Sequence, residues 1–373
     1  MIYADNAATT KLDMDAFEAM KPYLLEDYGN ISQPYAFVRG AKKAVREARE
    51  IIASCINANP EEVYFTSGGT ESDNWAIKGF SMREKYCCEI ITSSIEHHAV
   101  LNSCKAVSKL GVTVKYLPVS GEGIVSASAL DEVIGDSTGL VSVMYGNNEI
   151  GTIQPVKDLA AVAHSRGALF HTDAVQAVGH MKIDVKAQEI DMLSASGHKF
   201  HAPKGIGFLY IRNGIDMPSH EDGGSQEKGL RAGTENIAGI VAMAKAIHKN
   251  CNEMQEVQLR LNELERIIID GLDRAGIVYR RNGASDRLPG NLSLSFKGMD
   301  GESILHRLDL MGICVSTGAA CDSVHTQISH VLRAIHMPED LAKGTIRISL
   351  GRENTVEDAK EIVKALVKIA RRG

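Results

Sequence analysis

The sequence predicts an α/β fold, with a large domain built on a mostly parallel sheet and a smaller α+β domain. Two observations support this prediction. Between about residues 36 and 250, short apolar runs alternate with helical patterns, which is typical of a parallel sheet covered on both faces. After about residue 275 this alternation stops. A chain of 373 residues has room for two or three domains.

The elements of the large domain follow one another along the chain. Residues 35–56 form the first clear helical pattern, in which apolar side chains from Phe37 to Cys55 recur on one stripe. Several later helical patterns separate strands, among them VKDLAAVAHSRG, in which Gly167 is placed to end the helix. The predicted strands are EVYFTS, CCEIITS, VTVKYLPV, GLVSVMYG, ALFHTDA, DMLSAS and GIGFLYI.

A helix-rich stretch from AGIVAMAKAIHK to about residue 275 leads from one predicted domain to the other. We expect the large domain over residues 13–250 and the small domain over residues 1–12 and 251–373. In the small domain, NLSLSF and TIRISLG are predicted strands, and GESILHRLDLMG and TVEDAKEIVKALVKIA are predicted helices. A loop over about residues 315–329 carries Cys321.

Composition and charge argue against several classes of protein. A net charge of −6 is opposite to that of a typical nucleic-acid-binding surface. No apolar run reaches the roughly 18 residues that span a bilayer, and the first residues lack the pattern of a signal peptide. Seven cysteines without disulfide-framework spacing indicate a reducing compartment. We therefore expect a cytoplasmic protein without direct nucleic-acid or membrane contacts.

Four features lie where predicted strands end, which is where open α/β sheets bind ligands. The first is FTSGGTESDNWAIKG, residues 65–79, in which a strand is followed by two glycines and a helix with Thr70 as its expected N-cap. Free N–H groups at a helix start favour phosphate, although an ordinary capped turn has the same pattern. The second is Asp173, which could bind a metal, act as a base, pair with a protonated ring nitrogen or cap the next helix.

The third feature is DMLSASGHKFHAPKGIG, residues 191–207, which follows a buried strand. A desolvated lysine here could form a Schiff base, and the spacing leaves Lys199 and Lys204 as alternatives. His198 and His201 could bind a metal together only on a helix. The surrounding glycines and proline argue against a helix, so we expect no metal.

The fourth feature is His97, either a helix-start residue or an aromatic plate and proton carrier, with His98 beside it as an alternative. Together the four features fit pyridoxal phosphate, which needs a Schiff-base lysine, an acidic partner for its ring nitrogen and an anchored phosphate.

Separately, VSTGAACDSV places Cys321 among small and polar residues. This context suits either a nucleophile on a mobile loop or an inert filler.

The chain resembles the NifS/IscS-type cysteine desulfurases, of the class V aminotransferase group of fold-type I pyridoxal-phosphate enzymes. The resemblance covers essentially the full length and rests on YADNAATT, FTSGGTESDN, EHHAV, NNEIGTIQP, HTDAVQAVG, SGHKFHAPKGIG, RAGTENI, STGAACDS and IRISLG, in this order. It implies a seven-stranded sheet and a homodimer. It also implies removal of sulfur from L-cysteine, giving L-alanine and a persulfide on Cys321.

The resemblance implies a role for each site residue. Lys199 would hold the cofactor covalently, which decides between it and Lys204, and Arg347 would clamp the substrate carboxylate. On the cofactor ring, Asp173 would contact the nitrogen, Gln176 and Asn148 the oxygen, and His97 the face. Asn148 would also contact the substrate. The phosphate would be held by Gly69, Thr70, Ser196 and His198, and by Thr234 of the neighbouring subunit.

Two departures from the family pattern bear on turnover. Asp322 beside Cys321 disfavours the thiolate through like-charge repulsion. In YGNISQPYAF, Tyr35 stands near the place where the family has a histidine. The loop between Cys321 and Val331 resembles that of members that pass sulfur to other proteins. We therefore expect a persulfide-acceptor protein, either a scaffold or a thiolation enzyme.

The sequence leaves open where the sulfur goes, since iron–sulfur cluster assembly, transfer-RNA thiolation, thiamine synthesis and DNA phosphorothioation all use such donors. Two other functions compete with the desulfurase. One is another fold-type I pyridoxal-phosphate enzyme, a selenocysteine lyase or an aminotransferase. The other is a non-enzymatic assembly platform.

Overall fold

The computed structural model describes residues 1–83, 89–317 and 328–371. Every strand predicted above is present in it. The strands are β1 (Ile2–Tyr3), β2 (Val63–Thr66), β3 (Glu89–Ser93), β4 (Thr113–Leu117), β5 (Thr138–Ser142), β6 (Leu169–Asp173), β7 (Met192–Ser196), β8 (Gly207–Ile211), β9 (Arg280–Arg281), β10 (Asn291–Ser295), β11 (Ile313–Cys314) and β12 (Thr345–Ser349).

Helices cover the large sheet and also form part of the predicted small domain. They are α1 (Met14–Leu25), α2 (Arg39–Cys55), α3 (Gly69–Asn74), α4 (His98–Ser108), α5 (Ala127–Val133), α6 (Val156–Ser165), α7 (Ile237–Arg274), α8 (Gly301–Asp309), α9 (His330–Ala334), α10 (Glu339–Ala342) and α11 (Val356–Ala370). A π-helical turn, Trp75–Gly79, continues α3. Among the described helices, none combines the length and apolar character that a membrane crossing requires.

The large sheet has seven strands in the order β2-β8-β7-β6-β5-β3-β4. Its pairs are parallel except those of β8, which runs antiparallel to both β2 and β7. The prediction of a mostly parallel seven-stranded sheet is therefore confirmed. Since β8 reverses direction, β2, β3, β5, β6 and β7 all point the same way, and their carboxyl ends meet at one edge of the sheet.

Alternate residues of the strands enter different cores, which is the expected result of a period of two. In β3, Ile91 belongs to the cluster that includes Ala41, Val45 and Ile52 of α2. Its neighbour Ile90 belongs to a second cluster, with Trp75, Val100 and Cys104. Both faces of the sheet are thus covered by helices, and this is why its strands are apolar almost without interruption.

The helix α7 connects the two predicted domains without a break. Its first part, including Ile240 and Ile247, packs into the core of the large sheet. Its last part, including Leu264 and Ile268, packs against β10, β12 and α11 in a separate core. The predicted boundary near residue 250 therefore falls inside a helix, where the packing partners of the chain change.

Two local predictions need correction. Phe37 lies before α2 rather than on its buried stripe, and its side chain is 49% exposed. Thr70 is not the N-cap of α3, because the helix begins at Gly69 and Gly68 occupies the cap position. With φ at +151°, Gly68 adopts a backbone conformation that side-chain-bearing residues rarely reach.

Candidate functional site

The candidate site is a cavity of about 630 Å³ at the sheet edge where β2, β3, β5, β6 and β7 end. This volume lies within the usual range for small-molecule sites. Of the predicted site residues that the structure describes, Thr234 alone is outside the lining of this cavity. Those that line it are Gly69, Thr70, His97, Asn148, Asp173, Gln176, Ser196, His198, Lys199 and Arg347.

One end of the cavity is built from glycine backbone and hydroxyl groups. Gly69 and Thr70 start α3, whose first N–H groups have no partner within the helix. A Cβ atom on Gly69 would lie 2.5 Å from Cγ2 of Val175, and one on Gly68 would lie 3.3 Å from Oγ of Ser196. The two glycines therefore leave a cradle that side chains would fill, next to donors that suit a phosphate group.

Lys199 follows β7 in a short 3-10 turn, Gly197–Lys199. Its Nζ donates hydrogen bonds to the backbone oxygens of Ala7 (2.7 Å) and Ala8 (2.9 Å). The N-terminal segment thus holds the amine at the cavity wall. Lys204 also lines the cavity, so position alone does not separate the two lysines.

His198 precedes the lysine and forms part of the same wall. Its Nδ1 lies 3.1 Å from the hydroxyl oxygen of Thr9. Burial, with Lys199 and Lys204 nearby, lowers the pKa of His198 to about 4. His201 is not on a helix with His198, because its φ is +69° and its Nδ1 donates to the backbone oxygen of Lys11. A two-histidine metal site on one helical face is therefore not formed here.

Asp173 ends β6 and is only 5% exposed. Its Oδ1 accepts a hydrogen bond from the backbone N–H of Val175 at 2.9 Å, so it also organises the turn that follows. Burial raises the pKa of Asp173, and the nearby His97, this N–H donor and Lys199 oppose that rise. Both the ring-partner and the capping interpretations of Asp173 are compatible with this position.

His97 is the N-cap of α4, where its Nδ1 accepts a hydrogen bond from the backbone N–H of Ala99 at 3.1 Å. This bond places the proton of the neutral ring on Nε2. Burial lowers the pKa of His97, opposed by the nearby Asp173. The helix-start and cofactor interpretations again coincide in one residue.

Arg347 lies in β12 of the small domain and reaches the cavity from the opposite side. Its Nη2 donates to Oδ1 of Asp5 at 2.7 Å, and its Nη1 donates to the backbone oxygen of Asn148 at 3.0 Å. Each of these two nitrogens carries a second N–H that these bonds do not use. Part of this guanidinium fork therefore remains available for a ligand.

The remaining predicted contacts differ in how the structure places them. The side chain of Gln176 donates to the backbone oxygen of Ala7 at 2.9 Å. Thr234 lies apart from the cavity, in a smaller pocket with Ser67 and Gly205. Cys321 and Asp322 lie outside the described residues. Tyr35 is half exposed, with 51% of its surface accessible.

Acidic residues at the site escaped sequence reasoning, among them Asp73 and Glu149. Asp73 of α3 is 1% exposed and lines the cavity beside Asp173. Glu149 also lines it and accepts a hydrogen bond from the hydroxyl of Ser329 at 2.5 Å. Helical spacing could have found Asp73, because it lies four residues after Gly69 and so on the same face of the helix. No comparable sequence signal marks Glu149.

The described residues fit pyridoxal phosphate. The glycine cradle leaves space beside Ser196 and Val175, and Lys199 and Asp173 lie on the same wall. A buried acid beside the ring site, Asp73, keeps one oxygen, Oδ1, without a hydrogen-bond partner among the described residues. The donor set is therefore that of an anionic, nitrogen-containing cofactor that can bind a lysine amine.

Comparison with known proteins points the same way. The family model described as aminotransferase class-V matches residues 2–362. Cysteine desulfurase IscS of Clostridium botulinum is 46% identical over 372 residues, which cover 99% of this chain and 94% of that protein. A NifS-like protein of known structure superimposes with a TM-score of 0.94 at 37% identity and covers 100% of both chains. A structure of SspA in complex with cysteine has a TM-score of 0.84 at 35% identity, covering 95% of this chain and 100% of that one.

Proposed function

Because the chain belongs to the class-V aminotransferase family, as a NifS/IscS-type cysteine desulfurase that uses pyridoxal phosphate, we propose that Cys321 accepts the sulfur of L-cysteine. In the proposed reaction the bond between the β-carbon and the sulfur of L-cysteine breaks, and a sulfur–sulfur bond to Cys321 forms. The products are L-alanine and a persulfide on Cys321. No external oxidant or reductant is needed for this exchange.

The observation that supports Cys321 most directly is the position of its chain neighbours. Thr317 and His330, which are described residues before and after the segment containing Cys321, both line the cavity. Cys321 is four residues from Thr317, and four residues of chain span at most about 14 Å. The thiol can therefore reach a substrate held between Lys199 and Arg347.

When bound, pyridoxal phosphate supplies an electron sink that stabilises negative charge at the α-carbon of the amino acid. Lys199 is the proposed covalent anchor, because its amine is held at the wall by the oxygens of Ala7 and Ala8. Asp173 is the proposed partner of the ring nitrogen. Gly69, Thr70, Ser196 and His198 are the proposed phosphate contacts, and Asn148 and Gln176 those of the ring oxygen.

His97 and Arg347 are proposed to act on opposite sides of the bound substrate. His97 uses Nδ1 to cap α4, which leaves Nε2 as the nitrogen that exchanges a proton. Its lowered pKa favours the neutral ring at physiological pH, a state that can accept a proton. Arg347 would bind the α-carboxylate of L-cysteine with the N–H groups of Nη1 and Nη2 that Asp5 and Asn148 do not use, a task that suits a guanidinium.

The sulfur is proposed to leave on an acceptor protein, either a scaffold or a thiolation enzyme, as in iron–sulfur cluster assembly. We also propose that the enzyme is a cytoplasmic homodimer. Thr234 is the proposed dimer contact, because the resemblance assigns it to the phosphate of the neighbouring subunit. It lines a smaller pocket that shares Ser67 and Gly205 with the cavity.

The test compares alanine release from L-cysteine, in the presence of a reductant, by the wild type, Cys321→Ala and Cys251→Ala. Cys251 is a half-buried cysteine of α7 and serves as the matched control. We expect release by the wild type and the control, almost none by Cys321→Ala, and transfer of labelled sulfur to the protein only when Cys321 is present. Equal release by Cys321→Ala would reject this role and favour selenocysteine-lyase or aminotransferase chemistry.

A further inference from the structure

Asp73 and Asp173 form a pair of buried carboxyl groups behind the cofactor site. Asp73 is 1% exposed and Asp173 is 5% exposed. One oxygen of each and a ring nitrogen of His97 all lie within 4.8 Å of one another. Two carboxyl groups this close in a buried site do not both ionise, because burial disfavours each charge and the two charges repel each other. One of the two groups therefore holds a proton.

The groups that face Asp73 do not supply a positive charge to balance a second carboxylate. From β6 it faces Asp173 and His171, and burial lowers the pKa of His171 to about 3, so that this ring is neutral. From β7 it faces the hydroxyl of Ser194, which also contacts Nε2 of His171 at 3.0 Å. From the segment before α4 it faces Glu96, which is itself acidic.

The cationic groups nearby favour a charge on Asp173 instead. His97 and Lys199 act directly on Asp173, and the backbone N–H of Val175 donates to it. His97 also lies within 4.8 Å of Asp73, but the backbone N–H of Val175 donates to Asp173, and Oδ1 of Asp73 has no hydrogen-bond partner among the described residues. Burial and the adjacent Asp173 carboxylate raise the pKa of Asp73 well above its usual range. The proton therefore belongs on Asp73.

We propose that Asp73 is a positioning residue for the cofactor: it stays protonated and donates its O–H to the carboxylate of Asp173. This bond fixes the orientation of Asp173 and keeps its charge available for the ring nitrogen. Asp73 also lies in α3, the helix that begins at the phosphate cradle with Gly69. One short helix thereby links the phosphate end of the site to the acid at the ring end.

This inference rests on the proposed pairing of Asp173 with the ring nitrogen, so its test includes both residues. Asp73→Asn keeps a permanent N–H donor of similar shape, whereas Asp73→Ala removes the donor. The affinity of each cofactor-free variant for pyridoxal phosphate is measured by titration, together with the pH dependence of the bound cofactor's absorbance. Asp173→Asn is measured in parallel. Asp191→Asn is the control, because Asp191 is equally buried but pairs with His164 and Arg212 away from the cavity.

We expect Asp73→Asn to bind the cofactor within about twofold of the wild type and Asp73→Ala at least about tenfold more weakly, as for a lost hydrogen bond to a charged group. The infrared carbonyl band of protonated carboxylic acids should also be weaker in Asp73→Asn than in the wild type and unchanged in Asp191→Asn, the remaining band coming from other buried acids such as Glu96. This band is read on the cofactor-free protein, so it does not depend on activity.

Two results would overturn the proposal. One is that Asp73→Asn binds pyridoxal phosphate as weakly as Asp73→Ala, or has an infrared band as strong as that of the wild type. Asp73 would then be ionised in the folded protein and could not donate to Asp173. If Asp73→Ala binds as tightly as the wild type while Asp173→Asn binds weakly, Asp73 has no positioning role and the assignment of Asp173 stands. Wild-type affinity and absorbance in Asp173→Asn would instead reject the proposed pairing itself.

Discussion

The guanidinium of Arg347 donates a hydrogen bond to the carboxylate of Asp5, 342 residues away in the chain, at a distance of 2.7 Å. The side chain of Arg347 is 7% exposed and that of Asp5 is 19% exposed. Asp5 also forms a bridge to Ser349 of the same strand. The N-terminal segment therefore aligns the arginine on β12 and, through Ala7 and Ala8, the amine of Lys199.

Arg347→Lys should raise the KM for L-cysteine roughly tenfold to a hundredfold, because lysine keeps the charge but loses the planar fork. Steady-state alanine release over a range of L-cysteine concentrations measures this. Arg281→Lys is a suitable control, since Arg281 pairs with Glu265 in the small domain and away from the cavity. A KM that stays at the wild-type value in Arg347→Lys would rule out the carboxylate clamp.

Lys199→Ala should abolish covalent attachment of pyridoxal phosphate, whereas Lys204→Ala should retain it. Both lysines line the cavity, but Lys199 has its amine held by two backbone oxygens. Borohydride reduction followed by mass spectrometry of the intact protein measures the adduct. If Lys199→Ala forms the adduct in unchanged yield and Lys204→Ala does not form it, the covalent anchor is Lys204 instead.

The sequence was sufficient for the parts of the fold that are determined locally. The inner strands of the large sheet are short apolar runs, since both of their sides are buried, and β2, β3, β6 and β7 each have a site residue just after or at their ends. The antiparallel direction of β8 could not be predicted in this way, because an apolar run has the same pattern in either direction.

The missed features depend on tertiary contacts. The pair Asp5 and Arg347 joins the two ends of the chain, which no local pattern reveals. Asp73 follows the polar first turn of α3, which resembles an exposed helix start, yet it is buried because α3 packs against β7 and β8 at the cavity. The predicted N-cap at Thr70 was wrong for a related reason, since the backbone needs glycine at the cap, close to Ser196.

Glu96→Gln should become more stable than the wild type as the pH rises. Burial raises the pKa of Glu96 to about 8, although the hydroxyl of Ser93 and the backbone N–H of Met144 donate to its Oε1. The unfolded chain ionises this group at about pH 4.5. Between these two values the unfolded state releases a proton that the folded state retains, so the wild type loses stability relative to the neutral variant as the pH increases.

Denaturant unfolding of the cofactor-free proteins at several pH values measures this difference. We expect the two unfolding free energies to agree in their pH trend below about pH 4.5, and to diverge by roughly 4 kcal/mol by about pH 8. Glu18→Gln, at an exposed position in α1, is the control and should show no such divergence. Parallel curves for Glu96→Gln and the wild type would mean that Glu96 is ionised in the folded protein.

Gly69→Ala should weaken the binding of pyridoxal phosphate at least about tenfold. The added Cβ would lie 2.5 Å from Cγ2 of Val175, so the side chain of Val175 or the start of α3 must shift, and the N–H groups at the cradle would lose their alignment. Gly121→Ala is the control, because a Cβ there meets no atom within 4 Å. Titration of the cofactor-free proteins with pyridoxal phosphate measures the effect.

The double variant Gly69→Ala/Val175→Ala identifies the cause of that loss. Removing the two methyl groups of Val175 relieves the contact, so the double variant should recover most of the lost affinity. Recovery would assign the loss to the position of α3 rather than to the extra methyl group in the cavity. If Val175→Ala restores nothing, the cradle is closed by the alanine itself, and the phosphate must approach Gly69 more closely than the neighbouring side chains do.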